Sequence, residues 1–279
     1  MTIGEIIRQG FHYTRTCKSL WLFGFFVGIA NGGSSGGGGG NDGGGAGSAG
    51  FLGLSGTSIA LIVAAIVLAA VVAFVMHFVS EGALIEGIVR ARQGGTMTTR
   101  EGFRAGWRHW GVLVRIALVY FAVFFVSLAL LAVPCAIALR AIGWIGAVAL
   151  GVPALFIAVP WLITLHLVQA FAARIAVLEN RHALDAIGKS RLFLHGRLRH
   201  GLRLIVASFA GTIGIVLLGL VAVVPVVLVL VALIPALSLS VVLVLGCVVL
   251  LPAICVWTAI AGTFRSSIWT IGYVTQAES

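Results

Sequence analysis

Charged side chains are scarce in this sequence. Asp, Glu, Lys and Arg make up 9% of its 279 residues, whereas hydrophobic residues make up 60%. A soluble domain carries about 25% charged residues. A water-soluble globule of this size could not bury so much apolar surface, so the composition excludes a soluble domain and indicates an integral membrane protein.

The alternating pattern of a transmembrane β-barrel is also missing. Barrel strands are segments of about ten residues in which lipid-facing apolar and lumen-facing polar residues alternate. The stretch TSIALIVAAIVLAAVVAFVMHFV, residues 57–79, is instead apolar almost throughout. The sequence therefore predicts an all-α integral membrane protein.

Paired cysteines and catalytic motifs are absent as well. The four cysteines are isolated and read as small apolar residues, with no disulfide and no metal site predicted: Cys17, Cys135, Cys247 and Cys255. The sequence contains no G-x-S-x-G, no H-E-x-x-H and no nucleophile beside a base. We therefore predict no catalytic residue and no cofactor, and a membrane enzyme is the least favoured function.

Six apolar segments are present. A helix needs about 20 residues to cross the hydrocarbon core of a bilayer. The last two segments come from one uncharged tract, divided at the turn LIPALSLS, residues 233–240. The sequence predicts a single transmembrane domain over residues 1–279, with six spans near 19–32, 56–80, 112–138, 144–170, 204–233 and 240–262.

Basic residues fall almost entirely on one side of these spans. Of the 18 lysines and arginines, only Arg140 lies in a connection on the other side. Cytoplasmic loops carry the Lys and Arg excess, so we predict a bacterial inner membrane protein with both termini in the cytoplasm. The same bias, together with anionic lipid, accounts for the net charge of +10, so no nucleic-acid partner is expected.

A glycine-rich stretch, residues 31–50, joins the first two predicted spans on the outside. It contains no Lys or Arg and a single acid, Asp42. A phosphate-binding loop is excluded because neither a preceding strand nor a GK[ST] sequence accompanies the glycines. We predict a flexible external tether, and a surface on which a partner packs is the alternative.

Residues 96–111 predict an amphipathic helix on the cytoplasmic side. Thr98 and Glu101 have the spacing of a capping box. On a helix, Phe103, Trp107 and Trp110 would form an aromatic stripe. The neighbouring stripe would be basic and would consist of Arg100, Arg104 and Arg108. Such a helix lies in the membrane interface with its arginines near lipid phosphates, so we predict that it binds anionic headgroups.

Two further stretches have similar composition. Residues 182–204 include Arg197 and Arg199, which we also predict to contact headgroups, and residues 3–21 form the third amphipathic segment. Spans 2 and 4 each contain a histidine, which an amphipathic segment and then an arginine follow. The distance along the chain from His77 to Arg115 is nearly the same as that from His166 to Arg203. This spacing predicts an internal repeat of even span, amphipathic segment and odd span, either twofold or threefold.

Ionisable residues within the spans are few. His77 and Glu81 lie one helical turn apart near the end of span 2, and His166 has a similar place in span 4. Such residues are costly in a membrane and are functional candidates by default. One interpretation is a metal, haem or pigment site or a proton relay, and the other is polar residues near the interface.

For the cytoplasmic acids Glu86, Glu179 and Asp185, salt bridges are favoured over acid–base chemistry.

Two segments carry a resemblance to known proteins. EGALIEGIVRARQGG, residues 81–95, and AVLENRHALDAIGKSRLFL, residues 176–194, resemble poorly characterised bacterial six-helix membrane proteins. Similar modules form the membrane domain attached to some glycerophosphodiester phosphodiesterases. The resemblance implies the six-helix architecture. It implies no phosphodiesterase activity, because this sequence contains no such catalytic domain.

The sequence thus predicts a non-catalytic component of the bacterial inner membrane, either a scaffold, an accessory subunit or a lipid-organising protein. Its expected partners are membrane lipids, with anionic headgroups on the cytoplasmic side, and a membrane-protein complex. The alternative is a transporter or channel for an apolar or lipid-like substrate, with which proline-containing helices and a repeat are compatible. The lack of buried carboxylates argues against coupling to ions or protons.

Overall fold

The computed structural model describes residues 3–36, 56–195, 198–234 and 238–277. These residues form helices and turns and contain no strand, which confirms the predicted all-α class. A short 3-10 turn, Lys18–Leu20, precedes the second helix. The α-helices are α1 (Ile3–Thr16), α2 (Trp21–Gly36), α3 (Gly56–Arg92), α4 (Thr99–Ile142), α5 (Trp144–Leu178), α6 (Ala183–Leu194), α7 (Leu198–Ala232) and α8 (Leu239–Ala277).

Five of these helices are long and apolar enough to cross a membrane, so the chain is a multi-pass membrane protein. The five segments are Ala60–Arg92, Thr99–Ile142, Trp144–Leu178, Gly201–Ala232 and Ser240–Ala277. The first predicted span falls on α2, whose 16 residues rise about 24 Å. That rise is shorter than the hydrocarbon core of about 30 Å.

The long helices extend well beyond the predicted spans at one end. α3 continues to Arg92, α5 to Leu178 and α8 to Ala277, and α4 begins at Thr99. The predicted boundaries stopped near the first charged residues, but backbone hydrogen bonds continue past a charge because each bond is local to the helix. We call the end of the bundle that contains these four helix termini the basic end.

Three sequence-based predictions are corrected by these boundaries. Residues 96–111 do not form a separate interfacial helix, because α4 runs as one helix from Thr99 to Ile142. Residues 31–36 belong to α2 and not to an external loop, whereas residues 37–50 of the predicted loop lie outside the described residues. Arg174, predicted to lie between two spans, lies inside α5.

The start of α4 confirms the predicted capping box. The backbone N–H of Thr98 donates to Oε2 of Glu101 at 2.9 Å, and the backbone N–H of Glu101 donates to Oγ1 of Thr98 at 3.4 Å. These bonds satisfy amide groups that have no partner in the first turn of a helix. α7 ends at Ala232 and α8 begins at Leu239, on either side of the turn predicted over 233–240, of which residues 235–237 lie outside the described residues.

The helices pack against one another mainly at the basic end. Fully buried apolar side chains there include Leu84 of α3, Phe171 of α5 and Ile268 of α8. At the opposite end, residues 60–74 of α3 are all exposed, and residues 144–165 of α5 are largely so. The apolar halves of the long helices therefore present their side chains outward, as lipid-facing segments do.

Glycines allow α2 to lie very close to α8. A Cβ atom at Gly262 of α8 would overlap the carbonyl oxygen of Gly24 in α2, and one at Gly28 would overlap the carbonyl oxygen of Thr258. Gly24 and Gly28 form a G-x-x-x-G pair, the spacing that brings membrane helices into backbone contact. The short α2 is thereby fixed against the bundle although it has few residues.

Glu179, the residue after α5, joins three helices at the basic end. Its carboxylate accepts hydrogen bonds from the Tyr273 hydroxyl of α8 at 2.9 Å and from Lys189 Nζ of α6 at 2.8 Å, and from Arg181 Nε at 3.1 Å. Burial alone would raise the pKa of Glu179, but the bonds from Lys189, Tyr273 and Arg181 outweigh it and hold the pKa below its usual value.

The salt bridges predicted for Glu86 and Glu179 are confirmed. Glu86 lies 3.5 Å from Arg108 of α4 and 4.0 Å from Arg90 of its own helix. Asp185 has no ion-pair partner among the described residues and instead lies in the first turn of α6. A negative charge there is favourable because the helix N-terminus carries partial positive charge.

Candidate functional site

Five helices, α2, α3, α4, α5 and α8, line a cavity of about 130 Å³. Three residues singled out from the sequence as an intramembrane site, His77, Glu81 and His166, all line it. The two histidines lie on different helices, α3 and α5, so their proximity does not follow from the sequence. The other polar residues of the wall are Gln169, Arg174, Arg265 and Ser266.

Arg174 is the most buried charged group of the cavity. Only 5% of the residue is exposed. Its Nη1 donates to the carbonyl oxygen of Ala170 at 2.6 Å, and its guanidinium carbon lies 5.9 Å from the ring centroid of Trp269. The second distance is within cation–π range. The Nε–H of Arg174 has no hydrogen-bond partner among the residues that the structure describes.

The cavity wall carries more positive than negative charge. Glu81 attracts both guanidinium groups, Arg174 and Arg265, and the two arginines repel each other. With His77 and His166 neutral, two cations face one carboxylate. Buried charge is costly unless it is paired, so the wall favours an anion over a cation. Across the described residues, no three His, Cys, Asp or Glu side chains come together to hold a metal ion.

The cavity lies where the apolar parts of the long helices end. Along α5, His166 is about 33 Å from Trp144, and along α8, Arg265 is about 38 Å from Ser240, at 1.5 Å per residue. The hydrocarbon core is about 30 Å thick. If these apolar segments cross the core, the cavity lies at the depth of the lipid headgroups.

A groove of about 450 Å³ between α7 and α8 adjoins the cavity. His166, Arg265 and Trp269 line both spaces. Most of the remaining side chains of the groove are apolar and include Ile205, Phe209, Val216 and Trp257. Hydroxyl groups occur between them at Ser208, Thr212 and Thr258. A cationic cavity and a mainly apolar groove therefore lie on either side of these three shared residues.

The predicted aromatic and basic stripes of residues 96–111 lie on the first turns of α4. The rings of Phe103 and Trp107 stack with centroids 5.9 Å apart, and Trp110 lies 5.8 Å from Trp107. Arg100, Phe103, Arg104 and Trp107 are exposed, and we call these four residues the α4 basic surface. Arg108 is exposed but pairs with Glu86, and Trp110 is partly buried in the core.

The α4 basic surface lies some distance from the cavity. Leu113 of α4 lines the cavity, and Arg100 is about 20 Å further along the helix axis. Arg197, the first of the two arginines predicted after α6, lies outside the described residues. The backbone of Arg199 belongs to α7, and its side chain also lies outside the described residues.

Two cavity residues, Arg174 and Arg265, were not singled out by sequence reasoning. A signal for the first was present: His166, Ala170 and Arg174 recur at four-residue intervals and so share one face of a helix. Arg265 and Trp269 of α8 have the same spacing. No pattern within either helix indicates that the two faces meet.

Comparisons of the chain with protein-family models, with curated proteins and with solved structures find no match. The resemblance to six-helix membrane modules therefore stays a prediction. The function has to be argued from the residues and their arrangement.

Proposed function

We propose that this protein is a non-catalytic, lipid-organising component of the bacterial inner membrane. The observation that carries the proposal is the position of α1 and α6 beside the long helices, close to the depth of the cavity. Ile187 and Arg191 of α6 lie with Tyr120 and Gln169 around one small pocket, and Gln169 also lines the cavity.

α1 packs against α8 and α7, whereas α6 packs against α5 and α4. A Cβ atom added at Gly10 of α1 would lie 3.3 Å from Ile268, one turn beyond Arg265. Both short helices expose apolar side chains: Phe11 on α1, and Leu184 and Leu192 on α6. Arg15 and Arg191 are exposed on the same two helices. Apolar and basic side chains together favour a position in the interface.

The α4 basic surface fits a different partner. Headgroups add about 5–7 Å to each side of the hydrocarbon core, and a typical helix tilt of about 20° shortens a 20 Å rise only slightly. Arg100 and Arg104, about 20 Å and 14 Å beyond Leu113 along the helix axis, therefore project past the headgroups, whereas Trp107 is about 9 Å beyond Leu113. Exposed aromatic and arginine side chains are common in protein interfaces, so we assign this surface to an acidic partner in a membrane-protein complex, as a scaffold or accessory subunit requires.

Replacing Arg15 and Arg191 together by Gln should lower the retention of anionic lipid several-fold at low salt. Each basic residue near an anionic leaflet contributes about 1 kcal/mol, and salt screens that attraction. The difference from the wild type should therefore shrink at high salt. Mass spectrometry of lipids that co-purify in anionic nanodiscs measures the retention.

The matched control is the variant with Arg100→Gln and Arg104→Gln, which removes the same charge farther from the bilayer. We expect its lipid complement to equal that of the wild type. A greater loss of lipid from this control than from the α1 and α6 variant would contradict our placement and would restore the sequence-based assignment of headgroups to α4.

The proposed topology has six crossings with both termini in the cytoplasm. It rests on the charge distribution, and α2 provides the sixth crossing by being held against α8. Single cysteines at Ser48 and Ser238 in a cysteine-free background should react with an impermeant maleimide added outside intact cells. Cysteines at Gln93 and Ser279 should react only after lysis, and labelling of Gln93 in sealed cells would overturn the model.

A transporter of a lipid-like substrate is the second candidate. The adjoining positions of the cavity and the groove favour it, because the cavity suits a polar head and the groove suits an apolar chain. The internal repeat stays a proposal, supported by the convergence of His77 and His166 on the same cavity. Transfer of labelled phospholipid between leaflets of proteoliposomes distinguishes this candidate from a lipid-organising role.

A further inference from the structure

Two residues of the cavity wall carry buried donors that no described residue satisfies. Arg174 is 5% exposed, and its Nε–H finds no hydrogen-bond partner in the described part of the chain. The hydroxyl group of Ser266, which is also 5% exposed, finds none there either. An unpaired buried donor costs about 1–3 kcal/mol, and more when it is charged. Because both residues line the cavity, a small movement of their side chains would let a ligand in the cavity accept these hydrogen bonds.

The charge of the wall sets the charge of that ligand. Arg174 and Arg265 face Glu81 alone, so the cavity has one positive charge in excess when both histidines are neutral. A ligand with a single negative charge would balance it. A phosphodiester carries one negative charge, and its oxygens can accept two parallel hydrogen bonds from a guanidinium group.

The size and depth of the cavity fit a phosphate group. A volume of about 130 Å³ is many times the 10–15 Å³, roughly, that one water requires. The cavity therefore has room for a phosphate and several waters. Its position at the end of the apolar segments is the depth at which phospholipid phosphates lie.

The adjoining groove fits an acyl chain. It shares His166, Arg265 and Trp269 with the cavity, so the two spaces adjoin at these three side chains. Phe209 and Val216, on its outer wall, are 68% and 56% exposed. The groove therefore opens toward the hydrocarbon region, from which a chain can enter.

We propose that the cavity binds the phosphodiester of one anionic glycerophospholipid, with an acyl chain in the groove between α7 and α8. The guanidinium groups of Arg174 and Arg265 and the hydroxyl of Ser266 donate to the phosphate oxygens. A headgroup without an amine is preferred. The positive charge of an amine would cancel the negative charge of the phosphate and leave the excess positive charge of the cavity unbalanced. This site is independent of the lipid surface on α1 and α6.

Native mass spectrometry of the full chain with added phosphatidylglycerol tests the proposal. The delipidated wild type should hold one phosphatidylglycerol at detergent concentrations that remove the surrounding lipids, and should hold phosphatidylcholine at least tenfold less. Arg265→Gln should lower the bound fraction of phosphatidylglycerol at least tenfold. Val216→Trp, which fills the groove from its exposed wall, should lower it several-fold without changing the charge of the cavity.

The variant with Arg100→Gln and Arg104→Gln should keep the lipid bound in the cavity.

Inorganic phosphate and glycerophosphoglycerol, the headgroup without chains, serve as further ligands in thermal unfolding. If either stabilises the protein as much as phosphatidylglycerol does, the cavity binds a free anion and the proposal is wrong. Equal retention of phosphatidylcholine would also overturn it. If Arg265→Gln does not fold, Val216→Trp tests the proposal alone. Val216→Trp with as much bound phosphatidylglycerol as the wild type would contradict the proposal.

Discussion

Replacing Gly262 by Val should separate α2 from α8 and unfold the basic end of the bundle. A Cβ atom at this position would overlap the carbonyl oxygen of Gly24 and approach the backbone nitrogen of Gly28 to 2.9 Å. Both obstacles are backbone atoms, so no change of rotamer relieves the overlap. We expect a loss of about 3 kcal/mol or more, the upper part of the range for overpacked cores.

Gly214→Val is the matched control for this substitution. Gly214 lies inside the long apolar helix α7, and a Cβ atom there would meet nothing within 4 Å. The two variants share the same change in helix propensity and in hydrophobicity, so they differ in packing alone. Unfolding by SDS in mixed micelles measures both. Equal stability of the two variants would show that α2 does not depend on this contact.

Glu81→Gln should produce the second large loss of stability, of roughly 3 kcal/mol. Glu81 is the one carboxylate that lines the cavity with Arg174 and Arg265, and removing it leaves two cations with no counter-charge. Glu81 attracts both guanidinium groups from beyond ion-pair distance, and a charge that is out of water without a counter-charge costs several kcal/mol. We expect roughly 3 kcal/mol because Glu81 is only partly buried. Thermal unfolding in detergent without added lipid measures the effect.

The combination of Glu81→Gln with Arg174→Gln should be less damaging than the sum of the two single changes. Removing one cation together with the anion restores the balance, and such coupled pairs show interaction energies of about 0.5–3 kcal/mol. Glu101→Gln is the control. Glu101 is an exposed carboxylate paired with Arg90, and Gln keeps the capping box of α4, so its unfolding temperature should hardly change. Additive losses at Glu81 and Arg174 would contradict the electrostatic argument.

Local features of the fold were predictable from the sequence. The capping box at Thr98 and Glu101, the turn over 233–240 and the stacking of Phe103 with Trp107 each depend on residues within a few positions of one another. Helical geometry fixes their relations without reference to the rest of the chain. The all-α class follows from the length of the apolar segments for the same reason.

Helix ends at charged residues were less predictable. A hydropathy pattern reports where a chain can contact hydrocarbon, whereas the hydrogen bonds of a helix continue into the aqueous region. α3, α5 and α8 therefore extend past the predicted spans, and α4 begins before its own. Residues 99–111, predicted as a separate interfacial helix, are therefore the first turns of α4.

The sequence by itself determined that this is a helical membrane protein with its basic residues concentrated on one side. Only the tertiary structure decided which helix faces meet. Gly24 and Gly262 are far apart in the chain, as are His77, His166 and Arg265, and no periodicity within one helix specifies the helix that packs against it. Small residues at Gly24, Gly28 and Gly262 let α2 and α8 approach closely, and polar residues of α3, α5 and α8 meet around the cavity.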